Sequence, residues 1–111
     1  MTAMTTGELQ AFMARDFEQL AGEFVVERAD GAGLCLRLKV QERHLRPGGT
    51  VSGPAIFGLA DVAMYLAILA QIGPVALTVT TNCSIDFMRK PAAGVDLLAE
   101  ARVLKLGRSL A

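Results

Sequence analysis

The chain has 111 residues, 52 % of them hydrophobic, and sets 11 lysines and arginines against 11 aspartates and glutamates. That length fits one domain, the apolar content excludes a disordered chain, and the balanced charge leaves no field to attract nucleic acid or an anionic membrane. A domain this small encloses little core for its surface, so a mean hydropathy of +0.41 predicts that part of the apolar surface lies in a subunit interface.

The first residues, MTAMTTGELQ, lack the basic start and long apolar core of a secretory signal, and a cytoplasmic location is the expectation. Two cysteines, Cys35 and Cys83, and a single histidine show no metal-ligand spacing, so no metal and no resident cofactor are expected. Thr5 and Glu8 form a capping signal ahead of Leu9, Phe12, Met13, Phe17 and Leu20, predicting an amphipathic helix that ends near Gly22. Phe24 to Arg28 then reads as a strand and Asp30-Gly31 as a turn. Leu34, Leu36, Leu38 and Val40 alternate with Cys35, Arg37 and Lys39, completing an antiparallel hairpin with one buried face.

A polar loop over Gln41 to Gly49 leads to Thr50 or Ser52, either of which can cap a helix whose early Pro54 suits the first turn. That helix is predicted to reach about Gln71 and to stop at Gly73-Pro74. Pro54 to Gly73 is apolar and about long enough to cross a bilayer. Asp61 within it costs roughly 2.5–3.5 kcal/mol on insertion scales, and Gly58 weakens it further, so a buried helix of a soluble protein is the expectation. Val75, Leu77, Val79, Thr81, Cys83, Ile85 and Phe87 then alternate with Ala76, Thr78, Thr80, Asn82, Ser84 and Asp86, predicting a long strand with Val75, Leu77, Val79, Cys83 and Phe87 toward the helix. Pro91 to Gly94 predicts a turn and Val95 to Leu106 another strand, before a turn at Gly107-Arg108-Ser109. The order implies an α+β fold, an antiparallel sheet wrapped around one long buried helix in a single domain over residues 1–111. No further strand follows to pair with Val95–Leu106, so the sheet reads as incomplete, awaiting a partner or residues beyond Ala111.

Between Arg46 and Asp86 the only side chain with a full formal charge is Asp61. An acid isolated on an apolar helix is a candidate general base or nucleophile, and equally an inert acid in a structural network. Upstream, RPGGTVSGP runs into the helix start, where free N–H groups and the dipole favour an oxyanion and where Gly53 lets a ligand approach the backbone. Eight residues of helix put about 12 Å between Gly53 and Asp61, so one helix cannot aim both at one bond. A two-fold partner with its helix antiparallel could bring its own Asp61 to this Gly53.

The segments RPGGTVSGPAIFGLADVAMY and TVTTNCSIDFMRKP resemble the PaaI-type thioesterases of the hotdog-fold superfamily, over roughly Arg28 to Leu106. The resemblance implies a homodimer or dimer of dimers that hydrolyses acyl-CoA thioesters across the subunit interface, with CoA present only as part of the substrate. It implies that Asp61 attacks the thioester or activates water, and that the Gly53 amide polarises the carbonyl. The family pattern Asn-x-x-Gly-x-x-His-Gly-Gly is altered here. Ser52 stands at its histidine, Pro54 at its second glycine and Arg46 at its asparagine, while Thr80 falls where relatives often carry a serine.

By the same resemblance Arg89 and Lys90 could meet the CoA phosphates, and Phe57, Leu59, Met64 and Tyr65 could line an acyl groove. Their ordinary alternatives are solvated strand-end charges and core. Two other functions stay open: a non-catalytic acyl-CoA-binding hotdog module, consistent with the altered Ser52 and Pro54, and a hydroxyacyl thioester dehydratase using His44. Lone loop histidines are mostly solvated, and that is the expectation for His44.

Overall fold

The computed structural model describes residues 3–75, 77–89, 91, 92 and 94–111. Thr5 closes a reciprocal cap: its hydroxyl accepts the Glu8 N–H at 3.2 Å while its own N–H donates to the Glu8 carboxylate at 2.9 Å. Helix α1 runs from there over Thr6–Asp16, and a single further turn, α2, covers Glu18–Ala21. Leu9, Phe12 and Met13 on α1 are buried, as their spacing requires.

Strands β1 (Phe24–Asp30) and β2 (Gly33–Leu38) form the predicted antiparallel hairpin. Asp30 shapes its turn, accepting the N–H groups of Ala32 and Gly33 at 2.8 and 3.1 Å, the Asx geometry that makes aspartate a turn former. β3 (Leu97–Ala101) adds to the other side of β2, giving the order β1-β2-β3. Gly33 is obligatory there: its φ is +152°, and a Cβ would lie 2.6 Å from the Ala101 carbonyl oxygen.

The sheet has two unlike faces. Phe24, Val26, Leu34, Leu36 and Leu38 form the core side, and on the other side Arg28 makes a two-pronged bond to Glu100 at 3.1 and 2.9 Å. Cys35 stands between those two residues in the strand register, which explains why an outward-facing thiol is buried. The Gln10 side chain of α1 donates to the Phe24 carbonyl at 3.1 Å and accepts the Val26 N–H at 2.9 Å. These bonds occupy the outer edge of β1 and blunt it against pairing with another strand.

Helix α3 spans Gly53–Ile72. Ser52 is its N-cap, Pro54 lies in its first turn, and Gly73 at φ 96° ends it with an N–H bond to the Leu69 carbonyl at 2.8 Å. Leu59, Ala63, Leu66, Ala67, Leu69 and Ala70 are buried, so the sheet covers one side of a helix that is apolar nearly all round. By length and hydropathy α3 could also cross a membrane, but the core helix of a soluble protein has the same character, and α3 is packed on the sheet.

Two strand predictions are corrected. The predicted long strand from Val75 to Phe87 is irregular: among the described residues no ladder joins it to a neighbour. Val75, Leu77, Val79 and Phe87 are exposed rather than buried in the core, while Cys83 is half-buried. A strand's N–H and C=O groups need a neighbouring strand, and the described fold places none beside this segment. For the same reason the strand expected over Val95–Leu106 is ordered as a ladder only at Leu97–Ala101. Ala76, expected within the first of these, and the side chain of Leu20 lie outside the described residues.

Candidate active site

Arg46-Pro47-Gly48-Gly49 turns tightly before α3: the Gly49 N–H reaches the Arg46 carbonyl at 3.0 Å, with Gly48 at φ +102° and Gly49 at +81°. Proline at the second position of such a turn and glycine at positive φ in the third are the residues it demands. The chain then returns beside itself through a bridge between Leu45 and Val51, and the Arg46 N–H bonds the Thr50 carbonyl at 2.8 Å. Arg46 is thus a turn corner with an exposed side chain.

His44 is not the solvated residue expected from its place in a loop. It is 8 % exposed; its Nδ1 accepts the Gln41 N–H at 2.8 Å and its Nε2 lies 3.4 Å from the Glu23 carboxylate. Glu23 also pairs with Arg43. Burial, and secondarily the Arg43 charge, hold the imidazole pKa below its ordinary value. The His44 carbonyl accepts the Ser52 N–H at 2.7 Å, so this residue anchors the loop from inside.

Ser52 accepts the Ala55 N–H on its Oγ at 3.3 Å. Gly53 follows as the first residue of α3, where its N–H has no carbonyl four residues back within the helix. Phe87 lies over it, its ring 3.6 Å from where a Cβ would stand. Sequence periodicity put Phe87 in the core; proximity to Gly53 is a relationship no local pattern could reveal.

Asp61 is half-buried near the middle of α3. Helical spacing puts it on one stripe with Phe57, Met64, Tyr65, Ile68 and Ile72, away from the residues that pack on the sheet. Thr80 donates its hydroxyl to the Asp61 carboxylate at 2.6 Å. A groove of about 460 Å³ follows the stripe, with Met64, Tyr65, Ile68 and Ile72 as one wall and Leu77 to Asn82 and Leu106 to Ala111 among the others. Thr80 belongs both to that lining and to the Asp61 bond, so the carboxylate stands beside an apolar trough. Tyr65 is backed by Phe17, at 5.5 Å between ring centroids and edge-on, and by Phe12 at 6.3 Å, contacts from α1 and the residue that ends it.

The fold brings Thr80, Met64 and Tyr65 into one trough with Asp61 held beside it by Thr80, and keeps Ser52 and Gly53 apart at the head of α3. Phe57 is 37 % exposed and outside the groove lining, and Leu59 is core. Arg89 is exposed, and Lys90 lies outside the described residues.

A family model, the thioesterase superfamily, matches residues 48–111, the part of the chain that carries Ser52, Gly53, Asp61 and Thr80. Human acyl-coenzyme A thioesterase 13 is 32 % identical over 117 aligned residues, covering 100 % of this chain and 81 % of that protein. A candidate thioesterase from Silicibacter sp. TM1040 has a crystal structure of TM-score 0.89 at 53 % identity, covering 97 % of this chain and 75 % of the other. A mutant of the phenylacetic acid degradation protein PaaI from Thermus thermophilus superposes at TM-score 0.70 with 27 % identity, covering 82 % of this chain and 76 % of that one. The chain belongs to the thioesterase superfamily, and its antiparallel sheet against one long helix is the hotdog fold of that group.

Proposed function

We propose that this chain hydrolyses acyl-CoA thioesters to a carboxylic acid and free CoA, at composite sites between subunits of a homodimer or a dimer of dimers. The observation that carries this reading is the Asp61–Thr80 pair beside an apolar groove in a chain of the thioesterase superfamily. The similarity to acyl-coenzyme A thioesterase 13 supports the acyl-CoA class.

The chemistry follows from the residues. Asp61 either takes a proton from water as it attacks the thioester carbonyl or attacks that carbon itself. On both routes negative charge develops on the carbonyl oxygen, the C–S bond breaks, and the CoA thiolate leaves and is protonated; on the second route this leaves a mixed anhydride on Asp61, which water cleaves to release the carboxylic acid and restore the carboxylate. The Gly53 N–H receives that oxygen, a role that its position at the positive end of α3 supports. Eight residues of unbroken helix between them make an axial gap of about 12 Å, which supports taking the two groups from different subunits. The half-exposed apolar side of α3 supports the same assembly. Thr80 fixes the carboxylate, Ser52 caps the helix that presents Gly53, and Met64 and Tyr65 line the acyl trough. Arg46, Arg89 and Lys90 supply cations for the CoA phosphates.

The altered Ser52 and Pro54 favour one rival, an acyl-CoA-binding module without turnover. Release of free thiol from a panel of acyl-CoAs separates them: steady release in proportion to enzyme supports hydrolysis. Saturable binding with no thiol released supports the module, and loss of the enoyl chromophore with no thiol released points to hydration, the dehydratase running in reverse.

A further inference from the structure

Ser52 is held at three points. Its N–H bonds the His44 carbonyl at 2.7 Å, its Oγ takes the Ala55 N–H at 3.3 Å, and its carbonyl takes the Ile56 N–H at 3.1 Å. The Ser52 carbonyl and the Gly53 N–H share one peptide unit, which is planar and trans. The Ile56 bond on the carbonyl therefore aims the Gly53 N–H, and the bond from the Ser52 N–H to His44 sets where Ser52, and that peptide unit with it, stands. Two of the three bonds come from α3 itself; the third, from outside the helix, is supplied by His44.

His44 is itself fastened through its ring. Nδ1 accepts the Gln41 N–H, closing the short helical turn Glu42–His44, and Nε2 faces the Glu23 carboxylate just ahead of β1. An Nδ1 that accepts a hydrogen bond is unprotonated, so the ring proton sits on Nε2, toward Glu23. The imidazole thus ties the Gln41 turn and Glu23 to the residue whose carbonyl holds Ser52. A purely apolar side chain of similar size could fill the space but could neither accept from Gln41 nor present an N–H to Glu23.

We propose that His44 is a positioning residue for thioester hydrolysis: through the Ser52 N–H it sets the direction of the Gly53 amide toward the developing oxyanion, without touching substrate. This rests on the thioesterase reading given above. Because the amide is needed most strongly as charge develops, its misdirection acts on kcat rather than on KM.

The test is a set of three substitutions assayed for acyl-CoA hydrolysis together with Asp61→Asn. His44→Leu removes the Nδ1 bond and the approach to Glu23; His44→Asn restores an acceptor near the position of Nδ1; His44→Gln reaches toward Glu23 without that acceptor. Misplacing a catalytic group by about 1 Å can cost on the order of a hundredfold in rate, so His44→Leu is expected to lose roughly ten- to a hundredfold in kcat with KM little changed, and His44→Asn to recover most of it. If His44→Leu does not fold, the comparison of Asn with Gln decides: a higher kcat in Asn sustains the proposal and equal values overturn it. A folded His44→Leu with native kcat, or a loss confined to KM, also overturns it. Asp61→Asn keeps the two levels apart: its retaining full activity sinks the thioesterase site, whereas an inactive Asp61→Asn beside a fully active His44→Leu sinks only the role of His44.

Discussion

The Thr80 hydroxyl and the Asp61 carboxylate, 19 residues apart in sequence, meet at 2.6 Å, and this bond ties an irregular segment to the centre of α3. A carboxylate on a half-exposed helix face can otherwise rotate among rotamers; the bond selects one. Thr80→Val keeps the shape and removes the donor. It is expected to lower kcat about tenfold, a loss near 1.4 kcal/mol and typical of one hydrogen bond to a charged group, while Thr80→Ser stays close to native. Steady-state kinetics on one acyl-CoA would show this, and native kcat in Thr80→Val would remove Thr80 from the site.

Association is the second expectation. The stripe Phe57, Asp61, Met64 and Ile68 lies on the side of α3 opposite the core, and only a third of its most apolar window is buried in the single chain. Light scattering should give at least a dimer, and the thermal midpoint should rise with protein concentration. A fully active monomer would contradict both the interface and the cross-subunit geometry.

The groove makes a third prediction. From Asp61 to Ile72 α3 advances about 16 Å, room for an extended acyl chain of about a dozen carbons at the reach per bond of an extended chain. Ile68→Trp, which blocks the trough partway, is expected to lower kcat/KM for long acyl groups while leaving short ones near native. Equal losses across chain lengths would show that the acyl group lies elsewhere.

His44 gives a pH signature in stability. The pKa of its imidazole in the folded protein lies below the ordinary value of 6.5, chiefly because it is buried; Glu23, facing Nε2, is already paired with Arg43. The unfolded chain therefore takes up this proton first as pH falls. The stability due to neutral His44 is complete well above pH 6.5 and is lost as pH drops through that value toward the lower folded pKa. Thermal midpoints measured between about pH 8 and about pH 5, a window that brackets the histidine titration, should fall more steeply for the native protein than for His44→Asn. Parallel curves would show that His44 does not titrate in a buried setting.

Much of the fold is legible in the chain because it is dictated locally. The Thr5–Glu8 cap, the Asp30 turn, the alternation at Leu34, Leu36 and Leu38 and the Gly73 stop each rest on neighbours within a few residues, and each stands where the residues put it. Val75 to Phe87 shows the limit. Alternation there describes a chain with two faces but does not say which face meets the helix, and Thr80 rather than Val79 turns to Asp61. Asp61 could be singled out because it is the only full charge in a long stretch. His44 and Phe87 could not be placed, since burial beside Glu23 and contact with Gly53 are tertiary relationships with no periodic signal.

The most direct test of the central claim is the turnover number of Asp61→Asn. Asparagine keeps the shape and can still accept from Thr80, but it neither attacks a carbonyl nor takes a proton from water. A fall in kcat of several orders of magnitude, with acyl-CoA still bound at near-native affinity and the thermal midpoint preserved, is the predicted result. Hydrolysis at the native rate by a folded Asp61→Asn protein would contradict it, and would leave Asp61 as a structural acid on the face of α3.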